Sequence, residues 1–159
     1  EVSYARDFVE SKRHGLGEMN TQPSAGFQGD VVVYRPRHQM GAWMEIPFAV
    51  KAKEPLHLVA KGMMTPDGGR YQAFLNGVKI GRPLDFYADR PTNHEFQLLD
   101  FWPDPGAYTL RLECIGKSAP SADYACTIES VRLLQRRPRV AIYGHDKEKD
   151  WKAAPILYR

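Results

Sequence analysis

Apolar and polar side chains alternate along most of this chain, and this two-residue rhythm is the feature that most restricts its fold. Within residues 43–50, Met44, Ile46 and Phe48 fall on one side of an extended segment, whereas Trp43 falls on the other. Successive side chains of a strand point to opposite faces, so this period predicts strands that are buried on one face. Six further runs are predicted as strands, at residues 56–60, 71–75, 78–80, 95–101, 107–115 and 124–134.

Segments rich in glycine and proline separate these runs. Asn76-Gly77 predicts a two-residue hairpin turn, because both residue types tolerate the positive φ that such a turn requires. Further turns are predicted at residues 65–69, 82–83, 103–106 and 117–121. Apart from weak possibilities near the N-terminus, no segment has the pattern of an amphipathic helix. Many short strands between such turns predict an all-β, antiparallel sandwich or barrel.

The length of 159 residues suits one domain, which we place at residues 1–135. Residues 10–30 are polar and glycine-rich, and we interpret them as a long loop across the sandwich. Residues 136–159 are predicted to form a C-terminal extension or linker that packs only in part. Its exposed apolar residues, Trp151 and residues 156–158, would meet another chain or domain if this were an oligomerisation domain.

Composition and charge argue against several classes of partner. Lys and Arg number 22 and Asp and Glu 19, so the formal net charge is only +3. We interpret the basic cluster at residues 136–139 as a solvated linker and expect no nucleic-acid binding. No apolar run approaches the roughly 20 residues that a membrane span needs, so no membrane partner is expected.

The sequence offers little machinery for catalysis. The five histidines are scattered without metal-ligand spacing, and the chain lacks a Gly-x-Ser-x-Gly elbow, a phosphate loop and a dinucleotide fingerprint. We therefore expect a domain that is not an enzyme by itself. A two-carboxylate glycosidase site stays open as an alternative, because 19 carboxylates always allow some pair at the required separation.

Two cysteines are too few for a disulfide scaffold. Cys114 and Cys126 fall on the last two predicted strands, which we expect to form one hairpin. We expect two buried free thiols, and a disulfide, which directly opposite positions would allow, is the alternative.

Aromatic side chains are the first candidates for ligand binding, since a sugar ring stacks on an aromatic face. Alternation puts Trp43 on the face away from the core, and Tyr87 and Trp102 border predicted turns. These three are the candidate stacking surfaces, with a second packing layer as the alternative for Trp43. Tyr71 is a further candidate, and a place in the interior is its alternative.

Polar side chains near the strand ends are the candidates for hydrogen bonds to sugar hydroxyls. They are Asp67, Arg82 and Asp85. The alternative for the two aspartates is bonding to the backbone of their own turns. We expect no cofactor, although loop carboxylates and carbonyl oxygens leave a structural Ca²⁺ as an alternative.

Several runs of the sequence together resemble a known family. They are Gly41-Ala42-Trp43-Met44-Glu45-Ile46-Pro47-Phe48, Thr65-Pro66-Asp67-Gly68-Gly69-Arg70-Tyr71-Gln72, Leu75-Asn76-Gly77, Gly81-Arg82-Pro83-Leu84-Asp85-Phe86-Tyr87, and residues 110–118 with Ser121. Over residues 42–134 the chain resembles the carbohydrate-binding-module-like jelly-roll domain of bacterial polysaccharide-degrading enzymes. It departs from that pattern at Gly68, at Ser118 and at Thr127-Ile128-Glu129.

This resemblance implies a jelly-roll β-sandwich that is an accessory domain. Such domains occur beside glycoside hydrolases of the difructose-anhydride-degrading type and beside sulfatases. The expected partners are a polysaccharide or oligosaccharide and an adjacent catalytic domain, in a secreted or periplasmic location. The alternative is a structural or oligomerisation domain, including a homo-oligomer, that packs against a catalytic partner without binding glycan itself.

Overall fold

The computed structural model describes residues 2–4, 14–15, 17–23, 30–36 and 41–136, with side chains described for residues 31–36 and 41–136. The regular structure of these residues consists of eleven strands. They are β1 (Val2–Tyr4), β2 (His14–Gly15), β3 (Gly17–Pro23), β4 (Asp30–Pro36), β5 (Trp43–Val50), β6 (Leu56–Met64), β7 (Arg70–Leu75), β8 (Val78–Asp85), β9 (Thr92–Phe101), β10 (Gly106–Gly116) and β11 (Cys126–Gln135). In this described part of the chain, we find no helix that could cross a membrane.

The strands form two antiparallel sheets. Sheet A has the order β3-β4-β11-β6-β9, with β1 also paired to β11, and sheet B has the order β2-β5-β10-β7-β8. From β4 to β7, and again from β8 to β11, consecutive strands alternate between the two sheets. This alternation is the arrangement of a jelly roll, so the predicted fold is confirmed.

The core lies between the sheets and is built from alternate residues of each strand. β5 contributes Met44, Ile46 and Phe48, while β10 contributes Leu110 and Leu112. The residues between them, such as Glu45 and Arg111, point to the opposite face and are more exposed. The alternation read from the sequence is therefore confirmed for these strands.

The prediction of a long loop over residues 10–30 is wrong, because β2 and β3 lie there. Each residue of β3 has a partner on β4, from Gly17 opposite Pro36 to Pro23 opposite Asp30. Backbone pairing holds this polar segment, and the sequence carries no apolar rhythm that would reveal it. β4 was also missed, since Val31, Val32 and Val33 are all buried and so do not alternate.

The turn predicted at Arg82-Pro83 is also wrong, because β8 continues to Asp85. β8 is the edge strand of sheet B, where a proline removes no ladder hydrogen bond. The register shifts between Tyr71 and Ala73, where β8 carries extra residues. The strand therefore passes the proline through a bulge rather than ending there.

The cysteines do not share a hairpin. Cys114 lies on β10 in sheet B and Cys126 on β11 in sheet A, because residues 117–125 cross from one sheet to the other. Both are buried free thiols. The proposed extension, with Trp151 and residues 156–158, lies outside the described residues apart from Arg136.

Candidate functional site

The outer face of sheet B carries rows of polar and aromatic side chains set by the strand register. Arg111 of β10 lies opposite Glu45 on β5 and opposite Phe74 on β7. One row further along, Glu113 lies opposite Trp43. Directly paired residues point to the same face, so these side chains all face away from the core.

These rows enclose a groove of about 520 Å³, which we call the sheet-B groove. It is lined by Glu45, Phe74, Asn76, Gly77, Thr109, Arg111 and Glu113. The Asn76-Gly77 turn is fixed against β10, since the Thr109 N–H donates to Asn76 Oδ1 at 2.8 Å and the Asn76 N–H donates to the Thr109 carbonyl at 2.9 Å. The turn has the positive φ values expected of it, 47° and 82°. The groove thus has a rigid wall at this turn.

The charges of the groove are arranged around one cation. Arg111 donates from Nε to Glu45 Oε2 at 3.1 Å, and its guanidinium carbon lies 4.2 Å from the centre of the Trp43 ring. Glu113 is half-buried, and within the described part of the chain its carboxylate has no hydrogen bond or ion pair. The cation is therefore already engaged inside the protein, whereas one carboxylate is open to a ligand.

The predicted aspartates lie at one end of the sandwich, which we call the loop end; it consists of residues 65–69, 85–91 and 117–125. Asp67 accepts hydrogen bonds from Thr65 Oγ1 at 2.7 Å and from Arg35 at 2.9 Å. Burial raises the pKa of Asp67, but these two donors outweigh it and leave the pKa lowered. Its carboxylate therefore joins the loop to β4.

Asp85 has a similar internal role at the same end. It accepts from the Tyr87 N–H at 3.0 Å and from Ser118 Oγ at 2.6 Å. Tyr87 is half-buried and follows β8. Bonds of this kind fix the loops relative to one another, as expected for carboxylates at turns.

The other predicted ligand residues are dispersed. Tyr71 is 0% exposed, and its hydroxyl donates to the Tyr124 carbonyl at 2.5 Å, so its ring lies in the core and out of reach of a ligand. Arg82 is exposed on the edge strand β8. Trp102 is 56% exposed but lies at the opposite end, since it follows Phe101, which pairs with Leu56 at the start of β6. Of the predicted residues, Trp43 lies beside the sheet-B groove.

Sequence reasoning missed most of the groove. Alternation placed Trp43 away from the core, and the same two-residue rule, applied to β5 and β10, also turns Glu45, Arg111 and Glu113 outward. What it could not supply was the order of strands, in which β10 lies between β5 and β7. Without that order, nothing placed Phe74 across from Glu45.

The described side chains form no metal site. No group of three or more His, Cys, Asp or Glu among them is placed to hold a metal ion. Asp67 and Asp85, the predicted loop carboxylates, are bonded to protein donors instead.

No family model matches the chain, and no curated protein is similar to it. Several solved structures are similar to this chain. A xanthan lyase from Paenibacillus is 20% identical, with a TM-score of 0.69, over 76% of this chain and 12% of the lyase. The C-terminal family 6 carbohydrate-binding module of a marine laminarinase from Zobellia galactanivorans is 17% identical, with a TM-score of 0.55, over 85% of this chain and 98% of that module.

A carbohydrate-binding module of Cellvibrio mixtus lichenase 5A, in complex with cellotriose, is 12% identical, with a TM-score of 0.51. The match covers 86% of this chain and 98% of the module. The chain thus spans a small part of the lyase but nearly the whole of each module. At these identities the likeness concerns the fold alone, and that fold is the jelly roll of carbohydrate-binding modules.

Proposed function

We propose that this chain is a non-catalytic, carbohydrate-binding accessory domain and that its glycan lies in the sheet-B groove. The observation that carries this proposal is the groove itself, with carboxylates on its floor, Phe74 in its lining and Trp43 beside it. Trp43 lies on β5 and Phe74 on β7, the strands on either side of β10. At the usual spacing these two strands are about 10 Å apart. A sugar ring can stack on such faces while its hydroxyls bond to the polar floor.

The accessory role is supported by the similar structures, in which this fold forms one part of a larger enzyme. The match to the xanthan lyase covers 12% of that protein, and the laminarinase module is a C-terminal part of its enzyme. We extend this to an adjacent catalytic domain, such as a glycoside hydrolase, in a secreted or periplasmic bacterial protein. The role requires no cofactor.

Affinity electrophoresis in gels containing plant and algal polysaccharides tests the groove directly. Phe74→Ala removes the ring that lines the groove and Trp43→Ala the ring beside it, and we expect each to weaken retardation at least about fivefold, because a stacked ring contributes about 1 kcal/mol beyond its buried area. Trp102→Ala is the matched control, since it removes an exposed indole that follows β9 of sheet A and does not line the groove. Retardation that survives both groove variants would exclude this face as the binding site.

A second function, assembly without glycan binding, is favoured by exposed apolar side chains at the end opposite the loop end. Trp102 comes directly after Phe101, which pairs with Leu56 at the start of β6. Leu134 is 43% exposed and pairs with His57, which also lies on β6. Such side chains could pack against a catalytic domain or a second copy. Light scattering distinguishes the two: a stable oligomer that no polysaccharide retards favours assembly, and a retarded monomer favours binding.

A further inference from the structure

The unpaired carboxylate on the groove floor bears on which glycans the groove accepts. Arg111, the cation of the floor, is held by Glu45 and lies against the ring of Trp43. Glu113 is half-buried and has no such partner in the described part of the chain. A ligand in the groove therefore meets an acceptor with a negative charge more readily than it meets a cation.

We propose that Glu113 makes the sheet-B groove selective for uncharged glycans over glycans that carry carboxylate groups. This inference rests on the proposed function, because it names the class of ligand for that same groove. A carboxylate only accepts hydrogen bonds, so its natural counterpart is a hydroxyl or a pair of neighbouring hydroxyls on a sugar. A uronic acid brings a second acceptor-only anion to the same place, and like charges in contact are strongly unfavourable.

Among the residues with described side chains, Lys79 and Arg70 are cations that could oppose this effect. Lys79 of β8 pairs with Phe74 of β7, and Arg70 of β7 pairs with Asp85 of β8. Both are exposed and neither lines the groove. Charges in open solvent are largely screened at physiological salt, whereas a half-buried group that touches the ligand is screened much less. Glu113 therefore has the greater weight in selection.

Glycans with the same backbone and different charge test the proposal. Hydroxyethylcellulose is compared with carboxymethylcellulose, laminarin with carboxymethyl-curdlan, and any other neutral glycan that retards the protein with its own carboxymethylated form. We expect the wild type to bind each neutral glycan about tenfold more strongly, a difference that shrinks as sodium chloride is raised. Glu113→Gln keeps the shape of the side chain, so it should raise binding of the charged glycans while neutral binding falls only a few-fold.

Lys79→Gln is the matched control and should leave the preference for neutral glycans in place. Equal or stronger binding of the carboxymethylated glycans, binding to alginate or pectin alone, or a preference unchanged in Glu113→Gln would each overturn the selection. The proposed function fails differently. In that case no glycan retards the protein, or Phe74→Ala and Trp43→Ala are both retarded as strongly as the wild type, and the selectivity of the groove falls with it.

Discussion

Asp67 shows how one carboxylate at the loop end contributes to stability. Burial raises the pKa of Asp67, but the hydrogen bond from Thr65 and the charge of Arg35 lower it by more. The pKa in the folded state therefore lies below its ordinary value near 4. A lowered pKa means that the carboxylate stabilises the fold above about pH 4 and that this contribution is lost as the pH falls through the folded pKa.

We expect Asp67→Asn to lower the free energy of unfolding in urea by about 1 kcal/mol at pH 7, a modest value because the ion pair is partly exposed. The gap to the wild type should narrow when the measurement is repeated between pH 4 and pH 3. Asp104→Asn is the control, since its side chain is 81% exposed and its partner Lys53 is exposed as well. A gap that stays constant down to pH 3 would contradict this role.

Single residues were only partly predictable from the sequence. The alternative for Asp67 and Asp85, hydrogen bonding within their own turns, depends on nearby residues and turn chemistry. The structure has such hydrogen bonds. The bonds from Arg35 and Ser118 come from distant parts of the chain, 32 and 33 residues away. Those partners depend on the fold as a whole, which local patterns do not specify.

At the scale of elements, strands with one buried face were predictable, whereas β3 and β4 were missed. β5 was predicted with its observed limits because its side chains alternate between core and solvent. β4 is buried on both faces over part of its length, and β3 is a polar edge strand, so alternation is weak or absent in both. The error at β8 has a different origin, because Pro83 was interpreted as the end of a strand that instead bulges.

Gln72 holds that bulge, and its removal should cost stability. Its side chain is buried on β7, and Nε2 donates to the carbonyls of Ile80 at 2.9 Å, Ala73 at 3.1 Å and Gly81 at 3.4 Å. Gln72→Leu leaves these carbonyls without that donor, so we expect the free energy of unfolding to fall by about 1–3 kcal/mol. Urea unfolding measures this. Gln97→Leu, at an exposed position of the edge strand β9, is the control, and equal losses in both variants would contradict the role of Gln72.

For the whole molecule, a sandwich could be predicted but the pairing of its strands could not. Alternating strands and glycine- or proline-marked turns require two sheets to bury their apolar faces, whatever the order of strands. The order brings β5, β10 and β7 together, and with it Glu45, Arg111 and Phe74. The candidate groove is therefore a product of topology, whereas the core can be read from composition and period.

Chemical labelling of the two thiols tests whether both sheets unfold in a single global step. Cys114 on sheet B and Cys126 on sheet A are 1% and 0% exposed, and burial raises the pKa of both. The thiolate is the reactive form, so a thiol reagent should label the native protein at least about a thousandfold more slowly than the urea-unfolded chain, given a stability of about 5 kcal/mol or more.

Because each cysteine is packed in the core between the two sheets, we expect both to be labelled at the same rate, one set by global unfolding. Mass spectrometry of peptides after timed labelling measures the two rates separately. Asp89→Cys, at an exposed loop position, is the control and should be labelled at once without urea. Fast labelling of a single core cysteine would indicate that the loop end opens by itself, and absence of labelling in urea would mean that the two sulfurs are bridged.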